Sequence, residues 1–165
     1  MASQFGSRSI GKRVRLRDEF VDGLRCFHSS DYEGAVLLFR AADEQADMND
    51  IYQNRYTSFH GLTRVCMGDR SGVKLCRKAA VGEVSDAEVY YNLAMAERRL
   101  GFRESTYTAL RRGLNVDPGH TGLLRLKQQL VLREKHGFIT GLKRGNVING
   151  LLGKFFRGSR RARTR

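Results

Sequence analysis

A chain of 165 residues with 41% hydrophobic content can bury one core but is too short for two domains of ordinary size. A single proline, Pro118, and long stretches rich in Leu, Ala, Arg and Glu exclude a turn-rich β architecture and predict an all-α fold. The net charge of +13 sits at the ends: residues 1–17 carry +5, residues 133–165 carry +9, and residues 18–132 sum to −1.

The chain opens on a basic tail, residues 1–17, holding Arg8, Lys12, Arg13, Arg15 and Arg17 and no acid. No apolar run of the kind a secretory leader needs follows these charges, and no stretch approaches the roughly 20 apolar residues of a spanning helix. The three cysteines, Cys26, Cys66 and Cys76, show no Cys-x-x-Cys spacing and each lies in an apolar helical stretch. A reducing, cytoplasmic setting is the expectation.

Three segments of residues 18–118 follow one pattern. The first runs from Asp18 through Gly23-Leu24, Asp31-Tyr32-Glu33, Ala35, Phe39 and Ala42. The second contains Gly61-Leu62, Gly68-Asp69 and Ala79-Ala80. The third is the sharpest: Tyr90-Tyr91-Asn92-Leu93-Ala94 leads through Leu100-Gly101-Phe102 to Ala109-Leu110 and then Gly113-Leu114-Asn115-Val116-Asp117-Pro118. Small residues let two antiparallel helices approach, Gly permits the turn between them, and Pro ends the second helix. Asp31, Asp69 and Phe102 mark the turns at intervals of 38 and 33 residues, and the surplus in the first interval is expected around residues 46–52. Beyond Pro118, Leu123, Leu126, Leu130 and Val131 recur at helical spacing and predict one more helix.

This pattern resembles the tetratricopeptide repeat family, as in small bacterial-type members whose repeat is about 34 residues. The resemblance covers residues 18–135. It implies an α-solenoid of antiparallel helix pairs, about three repeats in seven helices with no sheet, closed by a C-terminal capping helix. It further implies a protein-protein interaction scaffold that takes a peptide or a partner helix in the concave groove formed by the first helix of each repeat. Carried over position by position, the groove residues are Arg55, Phe59, Tyr91, Asn92, Met95, Arg98 and Arg99, with Arg125 and Gln128 from the capping helix. Asn92 is expected to offer its amide to a bound backbone or carboxylate. The polar clamp of some relatives is not reproduced, because the first repeat offers Phe20, Leu24 and Phe27 instead.

The second repeat strains the pattern. Thr57, His60, Gly61 and Arg64 fall on the family's packing face, and Phe59, Leu62, Val65 and Cys66 fall nearer the groove. In the first repeat Asp22 stands where Leu is usual. A rotation of these helices by about one residue, or an apolar groove, would account for both; the cost of burying an unpaired Arg or Asp favours rotation.

The four histidines, His28, His60, His120 and His136, are far apart and show no metal-ligand spacing, and no nucleotide-binding loop or nucleophile elbow is present. Adjacent carboxylates such as Asp18-Glu19 and Asp43-Glu44 point in different directions on a helix and read as surface charge. No enzymatic activity, cofactor, metal or small-molecule substrate is expected.

Residues 136–165 form a second basic tail. Val147, Leu151 and Phe155, with Ile148, Leu152 and Phe156, would make an apolar stripe on a helix opened by Asn146, although interspersed glycines make that helix weak alone. Lys154, Arg157, Arg160, Arg161, Arg163 and Arg165 could meet nucleic acid or an anionic membrane surface, an alternative mode of action through the tails. Intramolecular cover of the body by the stripe is the other expectation for this segment.

Overall fold

A computed structural model describes residues 15–47 and 49–144, with side chains through residue 132. It is all-helical, with no strand among the described residues. The helices are α1 (Asp18–His28), α2 (Tyr32–Glu44), α3 (Gln53–Cys66), α4 (Val73–Val81), α5 (Ala87–Arg99), α6 (Arg103–Val116) and α7 (Thr121–Arg144), with a 3-10 turn at Arg70–Gly72 leading into α4. The chain divides into two units, residues 1–124 and 125–165, with the boundary inside α7. That helix runs past 135, where the sequence suggested an end. The second unit consists, among the described residues, of the rest of α7.

In the first unit the helices pack as successive hairpins, α1 on α2, α3 on α4 and α5 on α6, joined by α2 on α3, α3 on α5 and α4 on α5. The three hairpin turns are built alike. Ser30, Gly68 and Gly101 each take a left-handed conformation, with φ of 65°, 94° and 83°. At each, the next residue's N–H reaches back to close the helix: Asp31 to the Cys26 carbonyl, Asp69 to Arg64 and Phe102 to Glu97, all at 2.9 Å. The left-handed residue itself donates to Phe27, Val65 and Arg98, respectively, at 3.1 Å. This is the Schellman closure, which satisfies carbonyls the helix end leaves unpaired. The residue that closes one helix also opens the next element, and Asp31 and Asp69 accept from the N–H groups of Gly34 and Ser71 at 2.9 Å. Asp31, Asp69 and Phe102 are the residues the sequence marks as turns. The Arg64 guanidinium and the Ser71 groups around Asp69 hold its carboxyl at about 2, below the usual 3.8.

Hydrophobic packing changes character along the unit. At the first hairpin the core is aromatic: Phe20, Phe39, Tyr56 and Phe59 are buried, with ring centroids 5.0 to 5.4 Å apart. Such ring pairs contribute about 0.5–1.5 kcal/mol each beyond area burial. Gly23 makes room, since a Cβ there would stand 2.7 Å from the Phe39 ring. Further on the core mixes aliphatic side chains such as Val89, Leu93 and Leu110 with many small ones, among them Ala79, Ala80, Ala94, Ala96 and Ala109, and helix backbones come close. Gly61 faces Gly72 so tightly that a Cβ on Gly61 would lie 2.6 Å from the Gly72 carbonyl oxygen and 2.9 Å from the Cys76 nitrogen.

The phase of α3 follows neither expectation. Phe59, Leu62 and Val65 are buried, and so are Thr57, Gly61 and Thr63, because α2, α4 and α5 surround the helix. Arg64 is relieved at the margin by Asp69 rather than by rotation of the helix. Asp22 is exposed and bonds Arg25. The added length of the first interval lies in the connection between α2 and α3, residues 45–52, compared with 82–86 between α4 and α5.

Ser30 is the one turn residue with a side chain in the left-handed region. That conformation costs a non-glycine residue about 1–2 kcal/mol, and the extra chain entropy of glycine returns about half of it. Ser30→Gly is therefore expected to raise the unfolding free energy by about 0.5–1 kcal/mol in urea titrations; an unchanged or lowered value would remove strain at this turn from the account.

Candidate functional site: the seam between α3 and α5

The first helices of the second and third hairpins, α3 and α5, lie side by side, and the expected groove residues Arg55 and Arg99 bridge them near their two ends. At the N-terminal end of α5, Arg55 forms a two-pronged bond with Asp86 at 2.6 and 2.9 Å, and this bond raises the guanidinium pKa further. Asp86 also caps α5 by accepting from the Glu88 N–H at 3.0 Å. Arg55 is thereby held in one orientation, with about a third of its side chain exposed.

Tyr91, Met95 and Arg98 follow at helical spacing on one face of α5, partly exposed, with Arg99 exposed beside them. The Tyr91 ring lies 5.6 Å from the His120 ring, and His120 in turn meets Glu88 at 3.0 Å. At the far end Arg99 donates to the Cys66 carbonyl at the end of α3. Tyr91, Met95, Arg98 and Arg99 thus share one side of α5, with Arg55, already paired to Asp86, at the helix's N-terminal end. Arg125 and Gln128 are exposed on α7 in the second unit.

Two expected groove residues are inside. Phe59 is part of the aromatic core, with its ring 5.3 Å from Phe20 and 6.0 Å from Phe27, so it presents nothing to a ligand. Asn92 is 1% exposed and donates through Nδ2 to the Ser58 hydroxyl at 3.0 Å, while its Oδ1 is buried without a partner. Asn92 is sealed where α3 and α5 approach through small side chains, whereas Phe59 packs against the rings of α1 and α2. The polyanion candidates Lys154, Arg157, Arg160, Arg161, Arg163 and Arg165, like the apolar stripe at 147–156, lie outside the described residues.

The sequence reading missed the buried carboxylates that organise the seam. Glu83, 7% exposed, takes four donors on one oxygen: the N–H groups of Val84, Ser85 and Asp86 and the Ser85 hydroxyl, at 2.8 to 3.0 Å. Its other oxygen accepts from Asn54 on α3 at 2.9 Å. Burial alone would push this carboxyl up, but the donors outweigh it and the net shift is downward from the ordinary 4.5. Glu97, 2% exposed, is bound by Arg77 through two bonds at 2.7 and 3.0 Å. Asp43, expected on the surface, is mostly buried and accepts from Thr57, Gln53 and His60. Its signal was available in sequence only as polar residues on both sides of an otherwise apolar helix.

Burial pushes the Cys76 thiol up to about 12 and raises Cys66 as well, against the pull of Arg99, so neither is a ready thiolate near neutral pH. Among the described residues no three His, Cys, Asp or Glu side chains converge as metal ligands. No protein-family model and no curated protein matches the chain at a significant level.

Two outcomes follow from this geometry. Asn92→Ala removes a buried hydrogen bond and leaves a void, and it is expected to lower stability by about 1 kcal/mol, whereas Arg99→Glu at an exposed position should stay within about 0.5 kcal/mol. Equal melting temperatures for the two variants would contradict the burial of Asn92. A depressed carboxyl contributes stability that is present above its unfolded pKa and lost as pH falls through its folded one. The wild type should therefore lose stability below about pH 4.5 more steeply than Glu83→Gln in urea unfolding series between pH 6 and 3; parallel curves would count against the role given to Glu83.

Proposed function

We propose that this chain is a tetratricopeptide-type scaffold, a non-catalytic cytoplasmic protein that binds a peptide or helix of another protein along the seam of α3 and α5. The observation that carries the reading is the recurrence of one turn geometry three times, at Ser30, Gly68 and Gly101, joining hairpins whose first helices α3 and α5 pack side by side. Stacked helix pairs of this kind present successive first helices on one surface, and such surfaces suit extended partners. Arg55, Tyr91, Met95, Arg98 and Arg99 would make the contact: a side chain of the partner packs on Tyr91 and Met95, and acidic groups meet the arginines. Phe59 and Asn92 support the surface from beneath. The free cysteines, with Cys76 buried, suit a reducing compartment, and among the described residues no helix is long and apolar enough to cross a membrane.

A photo-crosslinking amino acid tests this directly. Placed at Met95 or Arg99 it is expected to capture a protein partner from native extract in a product that is reduced but still formed at high salt, while the same group at Glu33, exposed on α2, captures none. Equal capture at all three positions, or capture at Glu33 alone, would move the partner surface elsewhere.

The charge distribution favours a second mode beside the first. With +5 in residues 1–17 and +9 in residues 133–165 against −1 between them, the tails would hold nucleic acid or an anionic membrane surface while the helices engage protein.

A further inference from the structure

The near-zero charge of the body conceals a division. Residues 18–69 carry −6, whereas residues 70–124 carry +3. Burial sharpens the second figure, because four of the six acids between 70 and 124 are already committed. Glu83 holds the loop before α5, Asp86 holds Arg55, Glu88 meets His120, and Glu97 is sealed beneath Arg77. Their charge is taken up inside or at the seam, and the basic side chains of the same segment are left on the outside.

Those side chains gather on the surface shared by α4 and α6. Lys74, Arg77 and Lys78 stand on one face of α4, and Arg111 and Arg112 on α6; all five are exposed. The helices meet there through side chains, with Arg112 donating to the Ala80 carbonyl at 3.2 Å and Arg77 lying 5.6 Å from the Phe102 ring. Lys74, Lys78 and Arg111 make no ion pair among the described residues.

Arg112 is the best placed of the group. It lies 4.9 Å over the buried Tyr90 ring, and one terminal nitrogen donates to the Tyr90 hydroxyl and the Ala80 carbonyl, all neutral partners. Its position is thus set while its charge stays uncompensated, and the other guanidinium nitrogens remain available. It borders a groove of about 320 Å³ on α5 and α6, with the hydroxyls of Ser105 and Thr108 and the carboxylates of Glu97 and Glu104 also on its walls. Glu97 is ion-paired with Arg77, which leaves Glu104, among the described residues, as the unpaired carboxylate of this groove. Arg111, next to Arg112 on α6, adds a second exposed cation to this helix.

We propose that this α4/α6 face, centred on Arg112 and flanked by Lys74, Lys78 and Arg111, binds the phosphodiester backbone of a nucleic acid without reading its bases. Cations spread over two helices, with neutral hydroxyl donors between them, suit a repeating row of phosphates. A membrane surface fits less well, because among the described residues the exposed large apolar groups nearest this face are Val81 and Val84, at and just beyond the end of α4, and Phe102, which Arg77 overlies, too few for an apolar face along either helix. The inference goes beyond the scaffold reading and does not depend on it, since the face and the α3–α5 seam use different residues.

The test uses the full chain, so that both basic tails are present in every sample. Binding of a fluorescein-labelled 20-nucleotide oligouridylate is followed by anisotropy as salt is varied. Two triple variants each remove three positive charges: Lys74→Gln/Lys78→Gln/Arg111→Gln on the proposed face, and Arg15→Gln/Arg25→Gln/Arg40→Gln on α1, α2 and the segment before them. The first is expected to weaken binding at least tenfold near 0.1 M salt and to reduce the slope of log K against log salt by about 2, at about 0.7 per single-strand phosphate contact. The second should weaken it less than threefold. Equal losses in the two variants would show a response to net charge alone, and the face would be overturned. An unchanged first variant, or a wild type that binds anionic phosphatidylglycerol vesicles but not the oligonucleotide, would overturn it as well. Melting curves of both triples check that each remains folded.

Discussion

The constraint on which the rest of the first unit depends is that α3 is enclosed. Helices α2, α4 and α5 cover it on three sides, so its polar groups must find partners within the protein. They do so in pairs that also tie the neighbouring helices: Thr57 and His60 to Asp43 on α2, Ser58 to Asn92 on α5, Asn54 to Glu83 and Arg55 to Asp86 at the start of α5. Gly61 lets the helix come against the 3-10 turn and α4 on the remaining approach. The central helix is therefore located by directional bonds as well as by apolar packing, and directional bonds tolerate little rotation or slippage.

This enclosure also sorts the charges. A carboxylate inside must be matched by donors, whereas lysine and arginine can keep their heads in water while their stems cover apolar surface. In this chain the interior positions went to Asp43, Glu83 and Glu97, and the outer surface of α4 and α6 kept the cations. Surface charge is in this sense a by-product of how the core is tied together. A count of charges along the sequence cannot show it, because it weighs a buried Glu97 the same as an exposed Glu104.

The helical class, the turn positions and the longer first connection were legible in the sequence because each rests on local chemistry. Glycine at 68 and 101 supplies a left-handed residue, Asp31 and Asp69 supply caps, and the spacing of apolar residues shows a helix wherever one side faces water. Legibility failed where a helix has no wet side. On α3 apolar, small and polar residues are distributed around the whole circumference, so its periodicity assigned no face, and Phe59 was given to the surface. Asn92 failed for a related reason: its neighbour across the seam is Ser58, thirty-four positions earlier, and nothing in either local stretch announces the pairing. Tyr91, Met95, Arg98 and Arg99 recur at helical spacing and are the less buried side of α5, which a periodicity can show.

The loop gathered by Glu83 has a consequence for how this chain tolerates changes of length. Residues 82–86 are counted out by a single carboxylate that bonds the N–H groups of three successive residues, so one added or deleted residue would break several bonds together and shift α5 against α3. In the connection of residues 45–52 the bonds among the described residues gather at Asp50, no single carboxylate is seen to take three successive N–H groups, and Ile51 is left exposed. Insertions and fusion junctions should therefore be accommodated between α2 and α3 and refused between α4 and α5, so natural length variation in chains of this design should collect at the first connection.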